Sequence, residues 1–386
     1  NDAIAQAYAY FQHGQLEAAH NILQPLALQV SADFNLLHLA GAVAAGLQMY
    51  GQAIELFRRA LVLKPDDLSA GYKLGRALYD ADRREEALSS YLQLISAGAR
   101  HADLYLAAAL LLQESGRDEE ALQTVEHAVR LSPQHADAWH RHAVLLARLS
   151  RPGDALHSVQ QAVMLAPDRP ACRFDLALIL FSLHRNDEAL IEVDRVLTTE
   201  PSFTDAWACR AAVLGRLRRY DESMAASEKA LSLRPGDPDA TVNLALTQLT
   251  LGRFDSAWLL YETRWQGELA NPYRHADIPR WPGLQDAAGK TVLLWAEQGL
   301  GDTIQFCRYA LRVAALGANV VLEVHASLKT LSQTLSMVSK QSIVVKAIGE
   351  TLPEVDYQIP LMSLPLVFDT RCLLYTSDAA DDMQCV

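Results

Sequence analysis

Five cysteines in 386 residues, Cys172, Cys209, Cys307, Cys372 and Cys385, form no Cys-x-x-Cys pair and are too sparse for a disulfide framework. A reducing, cytoplasmic setting is the resulting expectation. Basic residues are also in deficit: 34 Lys and Arg against 46 Asp and Glu give a formal charge of −12, which argues against a nucleic-acid surface. No uninterrupted apolar run approaches the roughly 20 residues needed to cross a bilayer. A metal centre is not expected either, since His140 and His142 stand at i and i+2 and point to different sides of a helix. The chain opens at Asn1, without methionine and in mid-pattern, and is expected to be a fragment. What it has in quantity is apolar side chains, 50% of the total against 21% charged, enough for an ample globular core.

The distribution of proline is periodic. Pro65, Pro133, Pro167, Pro201 and Pro235 share a spacing of 34, with Ala99 at the one missing beat. In the same phase, place 20 holds Ala19, Ala53, Ala87, Ala121, Ala155, Ala189, Ser223 and Ala257, and place 8 holds Ala7, Gly41, Gly75, Ala109, Ala143, Ala177, Ala211 and Ala245. Small residues at two fixed places let two helix backbones approach closely, and proline at place 32 stops the second helix. Each unit is therefore predicted to be a helix, a turn and a helix, with Gly14, Gly116 and Gly252 in the turn. Larger residues at place 24 (Phe57, Tyr91, Val125, Val159, Val193, Tyr261) and the tryptophans Trp139 and Trp207 at place 4 fill the space between neighbours.

The alanine, aromatic and proline places resemble the tetratricopeptide repeat over roughly residues 1 to 270. The resemblance implies a superhelix of about eight repeats over 1–264, with a concave groove lined by first helices that binds a protein or peptide. Groove candidates at places 2 and 5 are Asn35, His38, Tyr72, Asp103, Asp137, His140, Phe174 and Asp205; an ordinary solvated surface is the alternative. The asparagine ladder of the O-linked N-acetylglucosamine transferases is absent, place 6 reading Leu39, Lys73, Ala107, Arg141, Asp175, Cys209 and Asn243.

The pattern changes at residue 265. Trp265, Pro272, Tyr273, Pro279, Trp281, Pro282 and Gly283 mark an ordered connector over 265–290. Strands then alternate with helices over 291–370, which predicts βαβ units and a parallel sheet. Strands are expected at Thr291 to Trp295, Asn319 to Val324, Ser342 to Val345 and Tyr357 to Ile359, with helices at Asp302 to Leu316 and Ser327 to Met337.

The loop after the first strand, Glu297-Gln298-Gly299-Leu300-Gly301-Asp302-Thr303, lies where parallel sheets hold ligands. Gly299 and Gly301, with Glu323 as a ribose-binding acid, suggest a dinucleotide site, but Ile304 occupies the third glycine place and Glu297 and Asp302 would repel a pyrophosphate. Asp302 has two further readings: a helix N-cap completed by Gln305, or a general base toward a hydroxyl.

The run WAEQGLGDTIQFCRY, preceded by RWPG and followed by LMSLPLVF, resembles bacterial proteins that fuse tetratricopeptide repeats to a glycosyltransferase-like domain related to heptosyltransferases. The resemblance implies a partial α/β, Rossmann-like half of a GT-B enzyme. By the Gly-Asp pair of heptosyltransferases, it makes Asp302 after Gly301 the base; Glu297, Gln298, Gly299, Gly301 and Thr303 are the binding-loop candidates by their place at the exit of the first strand. The parent protein would take a UDP-sugar-like donor; with the second domain missing, no cofactor is expected on this fragment, and it is expected to be inactive. Residues 371–386 resemble a translated sequencing adapter, a non-native tail, a disordered acidic tail being the alternative. The truncated sheet is expected to leave apolar edges uncovered and to be less stable than the repeats. A non-catalytic scaffold with a degenerate α/β domain is the competing functional expectation.

Overall fold

A computed structural model describes residues 2–29, 32–266, 273–297, 299–339 and 342–371. Sixteen helices come first, paired as hairpins: α1 (Asp2–Gln12), α2 (Leu16–Ala27), α3 (Phe34–Gly46), α4 (Tyr50–Leu63), α5 (Leu68–Asp80), α6 (Arg84–Ser96), α7 (Ala102–Glu114), α8 (Asp118–Leu131), α9 (Ala136–Arg148), α10 (Pro152–Leu165), α11 (Pro170–Ser182), α12 (Asn186–Thr199), α13 (Thr204–Arg216), α14 (Tyr220–Leu233), α15 (Pro238–Thr250) and α16 (Phe254–Tyr261). From α3 onward every first helix begins at place 1 of the 34-residue period and every second helix at place 17. The chain divides into two compact units, Asn1–Arg195 and Val196–Val386.

In the first unit the places have distinct physical duties. Place 8 and place 24 are matched in size: glycine faces the aromatics, Gly41 against Phe57 and Gly75 against Tyr91, while the repeats with alanine at place 8 have valine at place 24, Ala109 with Val125, Ala143 with Val159 and Ala177 with Val193, all fully buried. A Cβ on Gly41 would stand 2.8 Å from the Phe57 ring, inside the close-packing limit. Place 15 turns each hairpin in the left-handed region, at Gly14, Gln48, Asp82, Gly116, Ser150 and His184. Glycine takes that conformation without cost, yet only two of these six use it. Place 16 arginine closes the start of the second helix onto place 19, as in Arg83 to Glu86 at 2.7 Å, Arg117 to Glu120 at 2.6 Å and Arg185 to Glu188 at 2.7 Å. Place 4 reaches back to the preceding proline carbonyl, the Trp139 indole N–H donating to Pro133 O at 2.8 Å and Arg173 Nε to Pro167 O at 2.9 Å. The tryptophan thus ties the start of one repeat to the proline that follows the helix before it.

In the second unit the same grammar runs through α13–α16, with Trp207 donating to Pro201 O at 2.9 Å. A 3-10 turn, Glu262–Trp265, then leads to four parallel strands, β1 (Thr291–Trp295), β2 (Asn319–Val324), β3 (Ile343–Ala347) and β4 (Tyr357–Pro360), in the order β3-β2-β1-β4. Register pairs Leu293 with Val321 and Gln358, and Leu322 with Val345. Between strands lie α17 (Leu300–Phe306), α18 (Tyr309–Ala315), α19 (Lys329–Ser332) and α20 (Thr334–Val338), and α21 (Leu364–Val367) follows β4. The single helix expected over 302–316 is therefore two. It breaks where Ala310 N and Leu311 N bond back to Cys307 O and Arg308 O, a tighter i to i−3 pattern.

Alternation along β1 sorts its side chains. Val292, Leu294 and Ala296 face a core built with Phe306, Tyr309, Val313 and the last hairpin's Trp258 and Tyr261. Leu293 and Trp295 face the opposite way, where Trp265, Tyr273 and Ile278 of the connector cover them. Aromatic side chains thus take the part that a helix layer plays on the first face. The connector also closes one edge of the sheet: Gln358 N bonds Pro279 O and Trp281 N bonds Gln358 O, both at 2.9 Å, so the outer side of β4 is paired. The expectation of bare edges fails there, while on β3 Val344 remains 42% exposed. Pro272 and all of the 371–386 tail after Arg371 lie outside the described residues.

Candidate functional site

Two candidate sites occupy different units. On the face of the first helices in the first unit, most predicted groove residues are tied to the chain itself. Asp103 accepts from His135 Nε2 at 3.0 Å, Asp137 pairs with Arg169, and His140 Nε2 pairs with Asp175. His142, two residues on, turns to Ser158 Oγ at 2.8 Å, so the two histidines serve different neighbours. In the second unit Asp205 accepts from Arg234 Nη1 at 2.8 Å. Asn35 is exposed on α3, and Phe174 is half-buried on α11.

His38 and Tyr72 sit in a denser arrangement. The His38 ring stacks on Phe34 and its Nε2 lies 3.2 Å from Ser69 Oγ and 3.3 Å from the Lys73 ammonium. Burial, aided by the Lys73 charge, holds the His38 imidazole below its ordinary range, and burial likewise pulls Lys73 down. Among the described residues no carboxylate comes within ion-pairing distance of Lys73. Tyr72 packs on Tyr91 at 5.7 Å between ring centres and, with Leu68, Ser69, Ala99, His101 and Leu104, walls a cavity of about 320 Å³.

The second candidate is the loop leaving β1. In a sheet of order β3-β2-β1-β4, the crossovers run from β1 to one side and return to the other, so the crevice beyond the carboxyl ends of β1 and β4 is the switch point. Side chains of the protein fill it. Arg264, 5% exposed, donates all five of its N–H groups: Nε and Nη2 to Glu297 at 2.8 and 3.0 Å, Nη2 also to Ser363 Oγ at 3.0 Å, and Nη1 to Glu262 at 2.8 Å and Tyr261 O at 3.1 Å. The rings of Tyr261 and Trp265 lie 4.5 and 4.6 Å from its guanidinium carbon. Glu297, 2% exposed, also accepts from Met362 N at 3.0 Å. Burial pushes the Glu297 carboxyl above the ordinary carboxylate range against the pull of Arg264. Glu262, also buried, is drawn below that range by Arg264 and Arg280.

Asp302 is not the N-cap. Gly299 holds that place, and Asp302 stands in the first turn of α17, half-buried, with Oδ2 3.7 Å from where a Cβ on Gly299 would be. The extended backbone of Gly299 starts the helix three residues before the aspartate, which displaces the expected cap. Thr303 is buried and its hydroxyl donates to Gly299 O at 3.1 Å; Gly301 is exposed with open space about it; Gln298 lies outside the described residues. The loop residues named from sequence therefore part company, Glu297 turning inward to Arg264 and Asp302 staying at the rim. Glu323 is also engaged, meeting Arg274 Nη1 and His275 Nε2 at 3.0 Å each. Arg264 was invisible as a site residue in the sequence; its one signal is its place between two aromatics in the run Tyr261-Glu262-Thr263-Arg264-Trp265.

Among the described residues no group of three or more His, Cys, Asp or Glu side chains could hold a metal ion, and no helix is long and apolar enough to cross a membrane. A tetratricopeptide repeat family model matches residues 72–136, 140–202 and 210–270. The curated protein FlbA of Caulobacter vibrioides is 43% identical over 60 residues, 15% of this chain and 10% of that protein's length. Among solved structures, YrrB, described as a tetratricopeptide protein with an unusual peptide-binding site, matches with TM-score 0.44 and 22% identity over 48% of this chain and 96% of its own. A repeat protein from Parabacteroides merdae matches with TM-score 0.49 and 18% identity over 59% of this chain and 91% of its own. With the 34-residue period, the helix starts at places 1 and 17 and the family match in agreement, the helical hairpins of this chain are tetratricopeptide repeats.

Proposed function

We propose that this chain is a protein-interaction module whose first helices hold an extended segment of a partner. The carrying observation is the repeat array itself, with the half-buried Tyr72, His38 and Lys73 on its first-helix face and a cavity beside Tyr72. Stacked hairpins of this kind expose a continuous face that no single hairpin can form. Panning a randomised peptide display library against the chain tests this: defined sequences should be enriched, and Tyr72→Ala should weaken their binding. Failure to enrich any sequence sinks the reading.

For the sheet unit we propose a cytoplasmic parent enzyme of glycosyltransferase type, using a UDP-sugar-like donor, with Asp302 as base. In support, the parallel order β3-β2-β1-β4 brings the Gly301-Asp302 pair to the exit of β1 beside the switch point. Asp302 would take the acceptor hydroxyl proton as that oxygen bonds to the sugar carbon and the diphosphate departs with the bonding pair. Asp302→Asn in the full-length protein should lower sugar transfer about 10²–10⁴-fold; unchanged transfer removes the assignment. A scaffold reading is favoured by a different observation, the saturation of Arg264 and Glu297 by the chain's own groups, which leaves that part of the crevice filled.

A further inference from the structure

The cavity beside Tyr72 sits at a repeat boundary where proline is missing, Ala99 standing at the place that Pro65, Pro133, Pro167, Pro201 and Pro235 hold in other repeats. In the neighbouring repeat the second helix, α4, runs 14 residues and ends at Leu63 before Pro65, whereas α6 runs 13 and ends at Ser96. Here the stop is made by Gly98 in the left-handed region at φ 91°, with Gly98 N bonding Ile95 O and Ala99 N bonding Leu94 O. That pair of bonds is a Schellman stop, which glycine favours and which requires no proline. Ala99 then stands where a pyrrolidine ring stands elsewhere, and its methyl shares a cavity wall with Leu68, Tyr72 and Leu104. A volume of about 320 Å³ is at the lower end of ordinary ligand sites, roughly 300–1,000 Å³. It suits a single large side chain.

A second observation lies one helix back. The Lys73 ammonium meets His38 Nε2 at 3.3 Å, and among the described residues no carboxylate lies within ion-pairing distance, Asp67 acting on it only from farther off; an incoming carboxylate would therefore complete it. Lys73 leans toward α3 while the cavity opens between α5 and α7. Adjacent packed helices stand about 8–10 Å apart, a span that about three residues of extended chain cover.

We infer that this repeat boundary is an anchor subsite for an extended acidic-hydrophobic peptide, its Leu-, Met- or Phe-sized side chain filling the Ala99 cavity and an Asp or Glu about three positions away meeting Lys73. The inference rests on the peptide-binding reading above and names the peptide chemistry. A random dodecapeptide display library panned on the full chain should return sequences in which a large apolar residue and an acidic residue recur at that spacing. Ser69→Trp, an exposed change at the cavity mouth, should abolish the apolar preference and keep the acidic one; Lys73→Gln should do the reverse, with circular dichroism confirming the fold of each. Enriched sequences without the pattern, or a pattern unchanged in Ser69→Trp, overturn the subsite while leaving peptide binding intact. No enrichment on any variant removes both.

Discussion

At the scale of single residues, glycine has opposite consequences at two places of the same repeat. Ser150 occupies the left-handed turn at φ 58°, where a side chain is strained. Ser150→Gly should raise the unfolding midpoint, by up to about 1 kcal/mol once the extra entropy of the unfolded glycine is set against the relieved strain. Gly75 faces the Tyr91 ring with no room for a Cβ. Gly75→Ala should therefore destabilise by about 1–3 kcal/mol through overpacking; urea denaturation of the two variants should show shifts of opposite sign. Cysteine chemistry is equally local. Cys209 is 7% exposed and burial pushes its thiol up to about 12, so native protein at pH 8 should leave it unalkylated by iodoacetamide while guanidinium-unfolded protein is labelled. Mass spectrometry of the Cys209 peptide reads this directly, and rapid native labelling would contradict the burial described.

At the scale of elements, the last hairpin and the sheet are joined by charge as well as by packing. Replacing Arg264 with methionine leaves Glu297 and Glu262 buried without their shared partner, and should cost about 3–5 kcal/mol. Lysine should recover little of it, since one ammonium cannot reproduce a five-donor fork. Hydrogen exchange should show the loss in β1 and β4 and spare α3–α10; equal loosening throughout would contradict a local role. Sequence periodicity foretold the hairpins because size at places 8, 20 and 24 is imposed by backbone approach. The strands of the sheet were likewise legible: β1 and β2 match their expected spans, and β3 and β4 differ by one or two residues at an end. Arg264 was not legible, because its partners Glu297 and Ser363 are 33 and 99 positions away and no periodic constraint ties them. The cap at Gly299 was missed for a related reason: glycine and aspartate are both good N-caps, and only the backbone path selects between them.

At the scale of the whole molecule, charge and protonation set the working range. His38 and His142 are both held below the ordinary imidazole range, chiefly by burial. The unfolded chain then takes up protons more readily as pH falls below about 6.5, so stability should decline as pH drops through that value toward the lower folded-state pKa. The sign is opposite to that of a histidine that gains an acidic partner. Urea midpoints at pH 7.5 and 5.5 should differ less in His142→Gln than in the unaltered chain; an unchanged difference would remove His142 from this account.

The five-donor clamp on Arg264 also bears on how such a gene can be edited. Recombination in steps of 34 codons can add or drop hairpins between α3 and α12, because each of these carries the same helix starts, left-handed turn and size-matched pair. The final hairpin is different: its terminal turn supplies Tyr261, Glu262, Arg264 and Trp265 to the sheet. Copy number is thus free to drift within that stretch but not at the seam, where deletion of one hairpin would strip the neighbouring fold of its own side chains.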